Sequence, residues 1–428
     1  MAPAKALGSS QPSKHCKDGA GVSYPWFKTR GYRHFDAPVG GRYAAKACDP
    51  TFVAKHSWLP LIHYVKRTKR YKSATAKTVY KDRSIMYASH RDACILSKYA
   101  HDLTKVLDQH YRANGLDRHV IAYRKLGRAN YHFAADAYRF AKAKDECVVL
   151  CFDVTGFFDN LDHRLLKDRL KRALGVSELP SDWYAVFRHV TKYRKVELAA
   201  LKAHPDFGPR LEGSKREPIA TIKELTAAGV PIASNRNRFG IPQGTPISSA
   251  LSNLYMLDVD DEMVRACDAV GALYQRYSDD ILIVCLPENE AALAQRLKDA
   301  VARHKLEIKD EKTERAEFGP AVSDVFQYLG FNVTKDDTTI RPSSLARQWR
   351  KAKRSIKRTR QIGQQAIADG RATKVYTKRL RRRFQPVGTR NFSRYARKAA
   401  DEFGSKKIRR QVAKLERMVD RAIRELNP

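Results

Sequence analysis

The longest unbroken apolar runs in this 428-residue chain, Cys147–Phe152 and Ile281–Leu286, are six residues each. That is the length of a buried strand, far short of the about 20 residues a membrane-spanning helix needs. A membrane span is therefore not expected, and two core strands are. Carboxylates adjoin both runs. Asp153 follows the first, and Tyr277-Ser278-Asp279-Asp280 leads into the second through what reads as a hairpin turn, LYQRY-SDD-ILIV. Acids belong at strand ends and turns when they face a cleft while apolar neighbours anchor the backbone. Brought together, they repel one another unless something neutralises them. A pair of divalent ions about 3.5–4 Å apart does so, and clamps the attacking and leaving oxygens of a phosphoryl transfer. Mg2+ suits the task because it takes oxygen ligands and keeps waters while binding substrate phosphates. Asp260-Asp261 is another acidic pair, but it falls in a helical stretch where neighbours point apart, so it is expected at the surface.

The rest of the chain organises around these runs. Residues 1–24 read as a basic, mobile tail, and 25–145 mix Tyr, Lys and Arg with helical stretches such as Ala93, Leu96, Tyr99, Ala100 and Leu103. Helical sequence follows Asp153 to about Leu174, and the Pro-punctuated segment 175–238 reads as a helical insertion. GIPQGTPISS is a loop in which Ser248 or Ser249 is expected to cap the next helix. A helix at about 289–304 and a short strand pair, Gln327–Val333, complete an α+β sheet expected to carry its helices on one face. The seven cysteines are scattered without a CxxC pair. No structural zinc site is therefore expected, and a reducing, cytoplasmic setting is. Cys147 and Cys151 are read as small buried hydrophobes.

Five segments occur in the order of the palm motifs of reverse transcriptases: VLCFDVTGFFDNLDH (149–163), GIPQGTPISSALSNLYM (240–256), YSDD (277–280), LEIKDEKTE (306–314) and QYLGF (327–331). The chain resembles that family over about residues 60–335. The resemblance implies a right-hand polymerase with fingers in 25–145, a palm in 146–335 and a helical thumb in 336–428. It implies RNA-directed DNA synthesis with two Mg2+ ions, for which Mn2+ is a possible substitute. Asp153 and Asp279 would be the principal metal ligands, with Asp280 assisting and the backbone carbonyl of Val154 completing a site. Ser278 stands where the family usually has Ala, Met or Val. Phe158 matches the ring beneath the incoming sugar, which rejects a 2′-hydroxyl; one of Phe157 and Phe158 is expected in the core. Gln243 resembles the residue that contacts the dNTP, and Lys77 and Arg83 the fingertip pair that grips its triphosphate. Lys312 matches the position proposed to protonate departing pyrophosphate. AYRKLGR (122–128), with Arg124 and Lys125, resembles the finger motif against the template, and Tyr328-Leu329-Gly330 the hairpin that steadies the primer.

Charge supports a polyanionic partner. The chain carries 82 Lys+Arg against 46 Asp+Glu, a net +36. From Arg341 onward there are 28 basic and six acidic residues, so the last 88 residues hold +22. Leu345, Trp349, Ala352 and Ile356 form one apolar stripe. Around it lie Arg350, Arg354, Lys357 and Arg358, whose repulsion is best explained by a phosphate backbone alongside. Arg381, Arg382 and Arg383 extend the basic surface. Phe384, Phe392 and Tyr395 among them fit core packing or base stacking. Val412, Leu415, Val419, Ala422 and Leu426 fit thumb packing or a coiled-coil contact.

With fingers, palm and thumb assigned, no RNase H, integrase or endonuclease domain is expected within these 428 residues. The NAxxH and VTG segments usual in retron enzymes are absent, and group II intron proteins usually carry a longer maturase region. What is left resembles the bacterial defence-associated reverse transcriptases, type 2 class. That resemblance implies antiphage immunity and a structured noncoding RNA as template and scaffold, copied repetitively into cDNA. Template-independent or protein-primed synthesis, and a non-catalytic maturase-like RNA-binding protein, are the alternatives.

Overall fold

The computed structural model describes residues 23–72, 77–213, 217–320, 322 and 324–427. The protein is a mixed fold of antiparallel-rich sheets and helices. Its strands are β1 Leu61–Val65, β2 Thr68–Lys72, β3 Lys77–Lys81, β4 Ser84–Tyr87, β5 Cys147–Asp153, β6 Arg194–Glu197, β7 Ala233–Ser234, β8 Leu273–Tyr277, β9 Asp280–Cys285, β10 Glu314–Phe318, β11 Phe326–Tyr328, β12 Phe331–Val333 and β13 Thr338–Ile340. Helices of at least seven residues are α1 His90–Ala113, α2 Asn130–Lys142, α3 His163–Leu174, α4 Ser181–Thr191, α5 Ser248–Tyr255, α6 Leu257–Ala269, α7 Glu290–Arg303, α8 Pro342–Ala368, α9 Lys378–Phe384, α10 Phe392–Phe403 and α11 Lys406–Leu426.

The central sheet has the order β10-β5-β9-β8, antiparallel throughout. Side chains alternate along its strands between two cores. Val148, Leu150, Phe152, Ile281 and Ile283 join Leu96, Tyr99 and Leu103 of α1 on one face. Cys147, Val149, Leu282 and Val284 join Ala134 of α2, Phe403 of α10 and Val412 of α11 on the other. Helices thus cover both faces, not one. The physical reason is the uninterrupted apolar run itself, since a sheet with one wet face would alternate apolar and polar residues.

A second sheet, β4-β1-β6-β7, lies on the N-terminal side, and β2–β3 form a separate hairpin beside it. The segment 175–238 is therefore not purely helical, because β6 pairs in parallel with β1 and β7 pairs with β6. Four residues, RKVE, are too few to show a strand period. The third sheet, β11-β12-β13, lies on the same core as α10 and α11.

The C-terminal helices build a core of their own. Ala352 and Ile356 of α8 meet Leu380 and Phe384 of α9 and Leu415, Val419, Ala422 and Leu426 of α11. The apolar stripe of α11 is packed inside the molecule. Tyr395 lies 5.3 Å from the Tyr131 ring, and Phe384 is buried, so both serve packing. Among the described residues no helix is long and apolar enough to cross a membrane.

Candidate active site

Strand register brings the acids together. Asp153 ends β5 directly opposite Asp280, which opens β9, and Tyr277 of β8 faces Asp280 from the other side. Between Tyr277 and Asp280 the chain turns at Ser278, whose φ of +64° is left-handed. The Val154 amide donates to the Asp279 carbonyl at 3.0 Å, which ties the two acid-bearing segments beyond the end of the ladder.

The electrostatics follow from this placement. Burial raises the Asp279 carboxyl, and Asp153 raises it further. Asp280 is pushed up to about 8, first by burial and then by Asp279 and Asp153. The side chain that opposes both shifts is Lys81, at the end of β3. The hairpin thus brings Lys81 to the acids. Lys77 opens the same strand, but its side chain lies outside the described residues, as does that of Lys312. Arg83 is half-buried, and its backbone pairs with Lys66, amide to carbonyl in both directions (3.2 and 2.8 Å).

Two loops pack together as one wall beyond the end of β5. After Asp153 the chain turns at Gly156 (φ +56°) into a short 3-10 turn. There Phe157 is buried, and Phe158 is half-buried, with ring centroids 5.4 Å apart. The Ile241 amide donates to the Phe158 carbonyl and the Gly240 amide to the Leu161 carbonyl, both at 2.9 Å. A Cβ on Gly240 would stand 2.8 Å from the Asp159 carbonyl oxygen, and one on Gly244 2.6 Å from that of Met86. Only glycine permits this backbone-on-backbone approach, with φ of +87° and +120°. The Gln243 carbonyl accepts from Met86 of β4 at 2.8 Å, which sets a half-buried Gln243 on the same wall. Ser248 does not cap α5. Its hydroxyl donates to the Pro242 carbonyl at 2.6 Å and so closes the loop instead.

Other expected contacts are placed differently. The Arg124 side chain is 2% exposed, paired with Asp108 and Asp117 and lying over the Tyr111 ring. It is a structural cation with no face left for a template, whereas Lys125 beside it is exposed. Tyr328 is buried, its hydroxyl donating to Gln275 at 3.2 Å. Its ring cannot touch a primer, so the exposed Gly330 turn (φ +96°) is what the hairpin offers. Arg350, Arg354, Lys357, Arg358, Arg381, Arg382 and Arg383 are all exposed on α8 and α9.

Asp260 is the largest departure. It is fully buried and forms a two-pronged pair with Arg276, at 2.7 and 2.6 Å, while Asp261 meets His110 at 3.1 Å. One of two adjacent helix residues faces the sheet after all. The signal is present in Arg276, the one charged residue of a buried strand, which demands a buried partner.

Divalent metal fits the donor set in part. Among the described residues no three acidic, His or Cys side chains are gathered as a ready-made cage. The oxygens present are two or three carboxylates and backbone carbonyls, which is how Mg2+ is held when phosphate and water supply the remaining positions.

Residues 218–333 match the family model described as reverse transcriptase (RNA-dependent DNA polymerase). The match takes in Asp279 and Asp280 but begins after Asp153, which the β5–β9 ladder supplies. No curated protein matches the sequence. Among solved structures, similarity is found to apo telomerase from Candida tropicalis truncated from its C-terminal domain, with 11% identity and TM-score 0.45 over 68% of this chain and 58% of that one. Telomerase from Candida albicans with a fragment of telomeric RNA gives 14% identity and TM-score 0.42 over 70% of this chain and 49% of that one. Apo telomerase from Candida tropicalis gives 10% and 0.40 over 73% and 56%. The chain spans roughly half to three-fifths of the length of these telomerases.

Proposed function

We propose that this chain, which carries a reverse transcriptase domain, is an RNA-directed DNA polymerase that joins nucleotides by two-metal transfer. The observation that carries the reading is the strand register that sets Asp153 opposite Asp280, with Asp279 tied alongside through the Val154 amide; there burial first, and then the neighbouring acids, push Asp280 up to about 8. Such a cluster favours cations. When bound, two Mg2+ ions, or Mn2+ in their place, supply a polarised primer 3′-hydroxyl and a stabilised pyrophosphate. Asp153 and Asp279 hold them, with Asp280 and the Val154 carbonyl assisting. Arg83 with Lys77, and Lys81 beside them, present positive charge to the dNTP triphosphate, and Lys312 is proposed to protonate departing pyrophosphate. Phe158, held by Ile241, supports the sugar, and Gln243 lines the same wall. The exposed basic residues of α8 and α9 hold template and cDNA product, with Lys125 and the Gly330 turn nearer the reaction.

The sequence motifs support a finer placement among bacterial defence-associated enzymes, in which a structured noncoding RNA is copied to cDNA in antiphage immunity. Asp279→Ala with Asp280→Ala should abolish dNTP incorporation on an RNA template while preserving RNA binding; retained incorporation overturns the assignment. Sequencing RNA and DNA that co-purify with the protein tests the partner, and DNA matching no cellular RNA would point to untemplated synthesis.

A further inference from the structure

The acids at the hairpin turn are only as well placed as the turn itself, and the turn sits in a conformation that non-glycine residues disfavour. Ser278 has φ +64°, which costs a residue with a Cβ about 1–2 kcal/mol. Two side chains hold it there. From beneath, the Arg276 Nη1 donates to the Ser278 carbonyl at 3.2 Å and to Asn253 Oδ1 at 3.2 Å. The remaining edge of that guanidinium is fixed by both oxygens of Asp260, which also accepts from the Tyr274 hydroxyl at 2.9 Å. Arg276 and Asp260 are both fully buried. From the other side, the Tyr123 hydroxyl meets Ser278 Oγ at 2.9 Å. Tyr123 is itself left-handed at φ +64°, and its segment is fastened alongside β8, with the Arg276 amide donating to His119 and Ile121 donating to Arg276 (2.7 and 3.1 Å). Asn253 closes the circuit by donating to the Ala122 carbonyl at 3.0 Å.

We infer that Arg276, Asp260 and Tyr123 are positioning residues that clamp the Ser278 turn and thereby set where Asp279 stands relative to Asp153. A buried ion pair is by itself a poor source of stability, because well-packed apolar residues often replace it without loss. What apolar residues cannot replace is the donor left over once Asp260 is satisfied, and that donor is aimed at the carbonyl one residue before Asp279. The fork geometry matters as well, since a lysine keeps the charge but not the planar set of donors. The inference rests on the polymerase reading, in which the acids hold metal.

The test uses the full-length protein and Mn2+ alone, with bound ion measured by electron paramagnetic resonance, alongside dNTP incorporation and a thermal melt. Arg276→Lys should weaken Mn2+ binding about tenfold or more, with a matching loss of incorporation. Tyr123→Phe, at a residue 42% exposed that keeps its ring, should weaken it about threefold. The double variant should lose less than the product of the two, because both act on one turn. If the wild-type protein binds no Mn2+ and incorporates nothing, the polymerase reading falls and the clamp with it. If the wild type does both and folded Arg276→Lys matches it, the clamp alone falls. Should Arg276→Lys fail to fold, unchanged Mn2+ affinity in Tyr123→Phe overturns the clamp.

Discussion

Replacing Asp280 by Asn should stabilise the metal-free protein at alkaline pH. The Asp280 carboxyl lies at about 8 in the fold, against about 3.9 for an unfolded aspartate. The native state therefore keeps a proton that the unfolded chain has already released. Stability from this group is complete below pH ~4 and is lost as pH rises through about 8. Each unit of displacement is worth about 1.4 kcal/mol, so four units set a ceiling of about 5 kcal/mol at pH 9. In a melt with chelator present, the wild-type midpoint should fall between pH 5 and 8.5, and the Asp280→Asn midpoint should stay comparatively flat and lie several degrees higher at the alkaline end. Metal reverses the preference, because it takes only the ionised carboxylate. At pH 7 roughly nine-tenths of Asp280 is protonated, so Mn2+ binding should release close to one proton from it and tighten nearly tenfold per pH unit between 6 and 7. Calorimetry in two buffers of different ionisation heat counts that proton. Lower metal-free stability of the variant at pH 8.5, or metal binding at pH 7 without proton release, would refute the reasoning.

Phe158→Ala should relax discrimination against ribonucleotides; an unchanged rNTP/dNTP preference in steady-state incorporation removes the ring from that role. Arg124→Ala should destabilise the fold by about 1–3 kcal/mol, because it removes a buried guanidinium and its hydrogen bonds to Asp108 and Asp117, whose carboxylates remain partly in water, while the RNA affinity of the folded fraction stays within twofold. Changing Arg350, Arg354 and Arg358 together to Gln should flatten the log–log dependence of RNA affinity on salt by roughly one for each phosphate no longer neutralised; an unchanged slope would mean that α8 holds no nucleic acid.

The readable parts of the fold are those whose signal is local. The bounds of β5 coincide with an apolar run that ends in its own aspartate, and the β8–β9 turn follows from apolar segments flanking YSDD. A run of six apolar residues also announces a strand buried on both faces, although helices on one face are the simpler expectation. The rest is decided by tertiary partners. Arg124 looks like any basic residue near a template until Asp108, Asp117 and Tyr111 close around it. Asp260 and Asp261 differ only in which side of a helix meets the sheet. Lys81 approaches the acids from the end of β3, a tertiary placement that no composition records. β6 is a strand because β1 and β7 flank it on either side.

Helix α11 belongs to two cores at once. Its first half, with Ile408 and Val412, is part of the layer behind the central sheet. Its second half, from Leu415 to Leu426, is the keel of the C-terminal helices. Twenty-one residues make a rod about 30 Å long, anchored at one end behind the strands that carry Asp153 and Asp280. The helical region is thus a cantilever rather than a tethered flap. A pull on α8 or α9 is a bending moment on that rod, and its root is the back wall of the acidic cleft. A load placed on the outer helices would therefore have a packed route, through α11, to the layer behind the central sheet.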